Sequence, residues 1–471
     1  MHAHEAGALH AEGHRGPAWL QSPFDANDLV RSLWSSGVER GADGVLAVAG
    51  VSVEALAGDF GTPAYVIDEG DFRSRAREFG GACADAFEPL NGADVFYAGK
   101  AFLCLEVARW VHQEGLNLDV CSGGELEVAI RAGLPGHRIG LHGNNKSRVE
   151  IETALRHGVS RIIIDSFDEI ERVSEVAAEL GVVAPVLVRV TVGVEAHTHE
   201  FIATAHEDQK FGLSLAGGQA LEAVRRILRH DRTLQLLGLH SHIGSQIFDT
   251  SGFEISAARV IALHGRIAHE LGVQLPELDL GGGFGIAYTT EHDPLSPHEL
   301  AARMAQIVER ECRAADVPVP RISIEPGRAI AGPSTFTLYR VGTVKRVEVG
   351  AGASRAYVSV DGGMSDNVRT ALYDANFSCT LAGRTSAAPP VLARVVGSHC
   401  ESGDIVVKDE FLPGDVSAGD LLAVPGTGAY CRSLSSQYNH TPRPPVVAVR
   451  DGRARVIVRR ETIEDILALD V

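Results

Sequence analysis

What the chain lacks narrows its class before any motif is considered. No apolar run approaches the ~20 residues that a membrane-spanning helix needs, which excludes a helical membrane protein. The start, Met1-His2-Ala3-His4-Glu5-Ala6-Gly7, has no basic stretch followed by an apolar one, so it does not read as a signal peptide. Cysteine is sparse and scattered: the seven at 83, 104, 121, 312, 379, 400 and 431 contain no Cys-x-x-Cys pair. That pattern excludes a disulfide framework or a zinc ribbon and makes a reducing cytoplasm the expected location. Positive charge is also in deficit, with 43 Lys and Arg against 61 Asp and Glu and a formal net charge of −18. Such a balance argues against nucleic acid or an anionic membrane as partner. An anionic small substrate remains compatible with it, because a local arginine cluster overrides the global field. Internal repeats and coiled-coil heptads are missing too.

What is present fits a globular chain of more than one domain: 471 residues, 45% hydrophobic and 22% charged. Residues 1–62 form a polar, Gly- and His-rich tail (His2, His4, His10 and His14) followed by mixed short segments such as Gly44–Val51, and this piece is expected to pack with the C-terminal domain. Over 63–332 short apolar runs alternate with amphipathic stretches. The runs are Val95–Tyr97, Leu116–Val120, Arg138–Leu141, Arg161–Asp165, Val186–Val190, Leu236–His240, Leu278–Leu280 and Ile322–Ile324. Helical spacing falls near 71–87, 103–114, 124–132, 147–157, 168–180, 217–230, 252–271 and 298–314, and Ser147 stands three residues before Glu150 as in a capping box. Eight strand–helix units with no clear switch point predict a (β/α)8 TIM-like barrel, with a doubly wound open sheet as the alternative. After Gly332-Pro333 the texture changes to alternating runs separated by Gly, Pro and Asp, with a helical segment near Ala371. Residues 333–471 therefore read as an all-β domain, a sandwich or small barrel.

In a barrel the reactive groups sit just past the C-terminal ends of the strands. Those positions hold Lys100, Asp119-Val120-Cys121-Ser122, His142-Gly143-Asn144, the run His240–Gln246, Gly281–Gly285 and Glu325-Pro326-Gly327-Arg328. Lys100 follows Val95-Phe96-Tyr97 at an apolar strand–turn–helix junction, which predicts a buried amine able to form an imine with a carbonyl. Successive backbone N–H groups in the Gly281–Gly285 loop suit a phosphate, with Ser245 as a further donor. The loop is not the dinucleotide fingerprint, since Ile286 stands where that spacing needs glycine. His240 and His242 alternate and could face one metal with His197, His199, Glu200 or Cys400-Glu401, but no ligand set is closed by spacing and no metal is expected. A flat ring stacking on an aromatic cofactor uses His242 better. Glu325 extends the apolar Ile322-Ser323-Ile324 and needs a cationic partner there, such as a protonated ring nitrogen. Lysine, phosphate loop, flat histidine and buried glutamate together point to pyridoxal 5'-phosphate.

These motifs also carry a resemblance. Tyr97-Ala98-Gly99-Lys100-Ala101, Leu118-Asp119-Val120-Cys121-Ser122-Gly123-Gly124-Glu125, Lys210-Phe211-Gly212, His240–Gln246, Gly281–Gly285, Glu325–Arg328, Cys400-Glu401-Ser402-Gly403-Asp404 and Gly428-Ala429-Tyr430 stand in the order found in one family. The chain resembles the fold-type III decarboxylases of the alanine racemase-like barrel group, and among them the diaminopimelate decarboxylase family. The resemblance implies that Lys100 holds the cofactor, with Asp119 near it, His242 stacked on its ring and Glu325 keeping its nitrogen protonated. It implies that Ser245, Gly283, the backbone of Glu325, Pro326, Gly327 and Arg328, and Tyr430 serve the phosphate. Arg328, Arg369, Tyr373, Glu401 and Tyr430 are implied to bind an amino acid substrate, and Cys400 or Lys100 to deliver the final proton. A head-to-tail homodimer with shared active sites is implied as well, while the longer N-terminal tail has no counterpart of known role.

From the residues alone, Arg369 and Tyr373 would be an i,i+4 pair on a solvated helix face, and Cys400 a small core hydrophobe. With the resemblance, arginines answer the far carboxylate of meso-2,6-diaminopimelate and Glu401 its ammonium, so CO2 and L-lysine are the expected products. The alternatives are a decarboxylase of ornithine, lysine, arginine or a carrier-bound amino acid, an amino acid racemase, and a non-enzymatic cofactor-binding protein.

Overall fold

The structure, a computed structural model, describes residues 16–193, 210–350 and 353–471. His2, His4, His10, His14, His197, His199 and Glu200 lie outside the described residues. The chain divides into two compact units, one of Arg73–Gly285 with Pro294–Ala329, the other of the remaining residues.

The first unit is a closed barrel. Its strands are β1 Ala93–Ala98, β2 Asn117–Val120, β3 Ile139–Leu141, β4 Arg161–Ile164, β5 Ala184–Thr191, β6 Leu234–His240, β7 Glu277–Asp279 and β8 Arg321–Ile324. Each pairs in parallel with the next, β8 pairs with β1 and β4 with β5, so no edge is left open. Closure decides between the barrel and the open sheet. The two-residue strand Leu213–Ser214 adds a side pairing to β5. Helices follow as the apolar spacing predicts, and serines just past the strands start several of them. Ser122 and Ser166 each accept the backbone N–H three residues on, and Ser147 and Ser296 form full capping boxes with Glu150 and Glu299.

The second unit contains the described residues up to Phe72, Ile286–Asp293 and everything from Ile330. Its backbone is the 16-residue strand Thr335–Gly350. One end of that strand pairs with Ala64–Asp68 and with Leu421–Pro425, the other with Ala353–Val360. Pro390–Val396 and Ile405–Pro413 extend one side of the sheet, Val446–Arg450 and Arg453–Val458 the other. Trp34 packs edge-on against Phe336 at 6.0 Å within a core that includes Val66, Leu338 and Val447. Three details differ from the sequence reading. Ala64–Asp68, placed with the barrel by a boundary at 62/63, is an inner strand of this sheet. Ile286–Asp293, inside the barrel segment, also belongs to this unit. The short strand Thr380–Leu381, too brief to show alternation, pairs with Leu421–Pro425.

One barrel helix is anchored by a buried ion pair. Lys146 Nζ donates to Gly143 O at 2.7 Å, Ile163 O at 2.6 Å and Glu169 Oε1 at 2.9 Å. Glu169 Oε2 in turn accepts from Asp165 N at 2.7 Å. Burial draws the lysine down and the glutamate up from their ordinary values, and each partner's charge opposes the shift. Lys146→Met leaves Glu169 buried without its cation and should cost about 3–5 kcal/mol. The barrel's urea midpoint measures this, and adding Glu169→Met should recover most of the loss.

Candidate active site

The expectation for Lys100 needs one correction: its side chain is exposed. The apolar residues of the junction are buried as predicted, Tyr97, Ala101 and Phe102 among them. The lysine leaves the turn at the open C-terminal end of the barrel instead of entering the core. The turn itself is tightly fixed. Gly99 N donates to Asp119 O at 2.9 Å, and Tyr97 Oη to Phe102 O at 2.7 Å. A Cβ at Gly99 would stand 2.9 Å from Asp119 O. The ammonium remains close enough to act electrostatically on Asp119, His242 and Glu325.

Beneath that mouth lies a buried set of charges and imidazoles. Glu325, just past β8, has Oε1 at 3.0 Å from His240 Nε2 and 3.3 Å from His142 Nε2. His142 Nε2 is also 3.2 Å from Asp119 Oδ1 in β2, and the two imidazoles meet edge to face at 5.1 Å. Burial is the largest influence on all of them. It holds His142 down to about 4 and His240 well below the ordinary imidazole value, and it raises Asp119 and Glu325. Both rings are therefore neutral near pH 7. Despite the short separations, Glu325 Oε1 and both Asp119 oxygens lack an aligned hydrogen bond among the described residues. Arg161 closes the floor, donating to Asp279 Oδ2 at 3.1 Å and Ser323 Oγ at 3.0 Å with its guanidinium 3.9 Å over the Phe96 ring.

His142 stands among the strand-end positions without a chemistry assigned to it, whereas Arg161 and Asp279 are not singled out by sequence, although a charge inside a buried strand was the available signal for those two. The spacing argument also paired the wrong imidazoles. His240 ends its strand and points into the barrel, where its neighbour is His142. His242 lies in the following loop, partly buried, and its Nδ1 accepts Gly282 N–H at 3.2 Å. That bond leaves the ring proton on Nε2, and burial together with the Lys100 charge keeps the ring neutral.

The glycine loop is a cradle in which side chains have no room. Gly281 (φ 70°) donates to Asp279 Oδ1 at 2.8 Å. A Cβ at Gly282 would meet Glu325 O at 2.2 Å, and one at Gly283 (φ 110°) would meet Gly244 O at 2.5 Å. The loop is stitched to its neighbour through Ile247 N to Gly283 O and Gly285 N to Ile247 O, each 2.9 Å. Arg328, buried, donates to Ser245 Oγ at 2.7 Å. Pro326 O accepts from Ala98 N at 3.1 Å, and a Cβ at Gly327 would lie 2.9 Å from Ala98 O. Lys100, Asp119, His242, Ser245, Gly283, Glu325, Pro326, Gly327 and Arg328 thus all belong to one barrel end. A lysine amine, a crowded glycine cradle beside an arginine and a serine, and a buried carboxylate short of donors fit pyridoxal phosphate.

The remaining predicted residues lie in the β-rich unit. Arg369 is buried, contrary to the solvated face its spacing suggested. Its guanidinium sits 5.5 Å from the Tyr288 ring, 5.6 Å from Tyr373 and 5.7 Å from Tyr430. Arg369 Nε has no hydrogen-bond partner among the described residues. Tyr288 was not anticipated, because it lies in the middle of the barrel segment of the sequence. Tyr430 holds a left-handed φ of 61°. Cys400 is exposed and Glu401 half-buried on a turn locked from within, where Asp404 accepts Met364 N at 2.6 Å and His399 N at 2.7 Å. The acidity of that turn is thus partly structural.

Comparison with known proteins agrees with this geometry. The family described as "Pyridoxal-dependent decarboxylase, pyridoxal binding domain" matches residues 77–332. Diaminopimelate decarboxylase of Mycobacterium leprae is 55% identical over 478 residues, covering 100% of both chains. That of Mycobacterium tuberculosis is 57% identical over 447 residues, 94% of this chain and 98% of the relative. A crystal structure of diaminopimelate decarboxylase from M. jannaschii in co-complex with L-lysine superposes with a TM-score of 0.86 at 30% identity, covering 93% of this chain and 98% of the other. The chain belongs to the pyridoxal-dependent decarboxylases, within the diaminopimelate decarboxylase family.

Proposed function

We propose that this protein is a carboxy-lyase that converts meso-2,6-diaminopimelate to L-lysine and CO2, the last step of lysine biosynthesis. Full-length similarity above half identity to relatives of that name supports the reaction. The observation that carries the substrate choice is Arg369, buried among three tyrosine rings with Nε unpartnered. A buried guanidinium in that state calls for an anion, and the second carboxylate of diaminopimelate supplies one. Ornithine or lysine ends in a bare amine and would leave it unmatched.

Bound pyridoxal phosphate supplies an aldehyde that captures the substrate amine and a protonated ring that accepts the electrons released with CO2. The chain's own groups do the rest. Lys100 would provide the amine that anchors the cofactor. Glu325 would offer its carboxylate as acceptor for the ring N–H. His242 supplies a flat neutral face, held by Gly282 N–H. Ser245 and Arg328, already bonded to each other, serve the phosphate beside Gly283, with Tyr430. Asp119 would lie near the cofactor. Arg328, Arg369, Tyr373, Glu401 and Tyr430 orient the substrate, and Cys400 or Lys100 returns a proton to the α-carbon.

A homodimer with shared sites follows from the family resemblance. The seven scattered cysteines, with no Cys-x-x-Cys pair among them, support a cytoplasmic setting. Among the described residues no helix is long and apolar enough to cross a membrane.

Purified protein with pyridoxal phosphate should release lysine and CO2 in equal amounts from meso-diaminopimelate. Arg369→Ala should lower kcat/KM by about 10²-fold with cofactor absorbance unchanged; undiminished turnover would refute the pocket. Borohydride should fix the cofactor mass on the peptide carrying Lys100, and Lys100→Ala should prevent it. For shared sites, mixing inactive Lys100→Ala and Cys400→Ala proteins should restore part of the activity. A mixture as inactive as its components would count against sharing.

A further inference from the structure

Two buried imidazoles beside Glu325 have no place in the reaction as described. We propose that His142 and His240 are positioning residues that hold Glu325 ionised and aimed for the cofactor ring, each from a neutral imidazole presenting Nε2–H to the carboxylate. The geometry carries this. Both Nε2 atoms lie within 3.3 Å of the same oxygen, Glu325 Oε1, and arrive from different strands, one from the loop after β3 and one from the end of β6. The edge-to-face contact between the rings, at 73°, holds each in a fixed plane. The angles fall short of hydrogen-bond alignment, as catalytic contacts often do before a ligand is bound.

The need for such support is physical. Glu325 is buried, and burial favours its protonated form. A protonated carboxyl carries no charge to stabilise a protonated ring, so the electron sink would be weakened. The groups facing Glu325 are His142, His240, Asp119, Asp279, Lys100 and Arg189. The two carboxylates oppose its ionisation, Lys100 and Arg189 favour it, and the imidazoles are the nearest donors.

A divalent metal is the competing occupant, because ligand atoms of His142, His240 and Glu325 fall within 4.8 Å of one another. Lys100, Arg161 and Arg189 oppose a dication at this point while Asp119 and Asp279 favour one, so direct zinc binding distinguishes the two occupants. The neutral N–H reading needs no further charge.

The inference rests on the pyridoxal reading of the site and not on the choice of substrate. Cofactor-free parent, His142→Leu and His240→Leu are titrated with pyridoxal phosphate over a pH series, beside the His→Gln forms, which keep an N–H donor. The leucine forms should bind at least about ten-fold more weakly at neutral pH. Removing donors raises the Glu325 pKa further, so the pH of half-maximal affinity should move up by about one unit, and glutamine should restore most of both effects. Where a leucine form fails to fold by circular dichroism, His142→Asn and His240→Asn, whose shorter arms withdraw the donor, carry the same expectation. Parent-like affinity and pH dependence in the leucine or asparagine forms would overturn the proposal. So would equal weakening in leucine and glutamine forms with no pH shift, or one-equivalent zinc binding to the parent that both leucine forms abolish. A parent that binds no cofactor overturns the cofactor reading along with it.

Discussion

A carboxylate buried in a closed barrel must be answered by the protein around it, and that constraint governs the arrangement around Glu325. Closure of the eight strands removes every sheet edge and with it any route for solvent from the side. The compensation must come from side chains, and the barrel supplies it in layers. Arg161 neutralises Asp279 at the floor, Asp279 fixes Gly281 N–H, and the imidazoles of His142 and His240 crowd the upper oxygen. Charge is thus carried into the interior in graded steps and not as one isolated ion, which a low-dielectric core would not tolerate.

The loops at the same end show the complementary device, the exclusion of side chains. Gly282 and Gly283 run so close to Glu325 O and Gly244 O that a single methyl would displace a backbone segment. The space kept in this way is lined by main chain, and main chain cannot change rotamer. A cradle of this kind is rigid before its ligand arrives, so little ordering is left to do on binding.

Most of the barrel was legible because its signals are local and repeated. Apolar runs separated by amphipathic stretches, with serine caps after the strands, fix strands and helices one unit at a time. What escaped were features set by pairings distant in sequence. Nothing near Ala64–Asp68 says that its partners are Thr335–Leu338 and Val446–Val449. Site residues sort in the same way. Lys100, Ser245, Gly283 and Glu325 stand at strand ends, where position alone raises suspicion. Arg369 was legible only through resemblance, since its burial depends on Tyr288 and Tyr430, neither near it in the chain. At Lys100 the apolar neighbourhood in sequence describes the turn and not the direction in which its longest side chain leaves.

The inner strand Ala64–Asp68 also sets a timetable. It emerges early from the ribosome, yet it lies between strands that begin at Thr335 and Val446. Until those arrive, both of its hydrogen-bonding edges wait unmatched while all the barrel segments are synthesised between. In the barrel each strand pairs with the next one made, and only the β1–β8 seam waits for the last segment. Synthesis therefore favours a barrel that forms first, with the β-rich unit sealed by nearly the last residues of the chain.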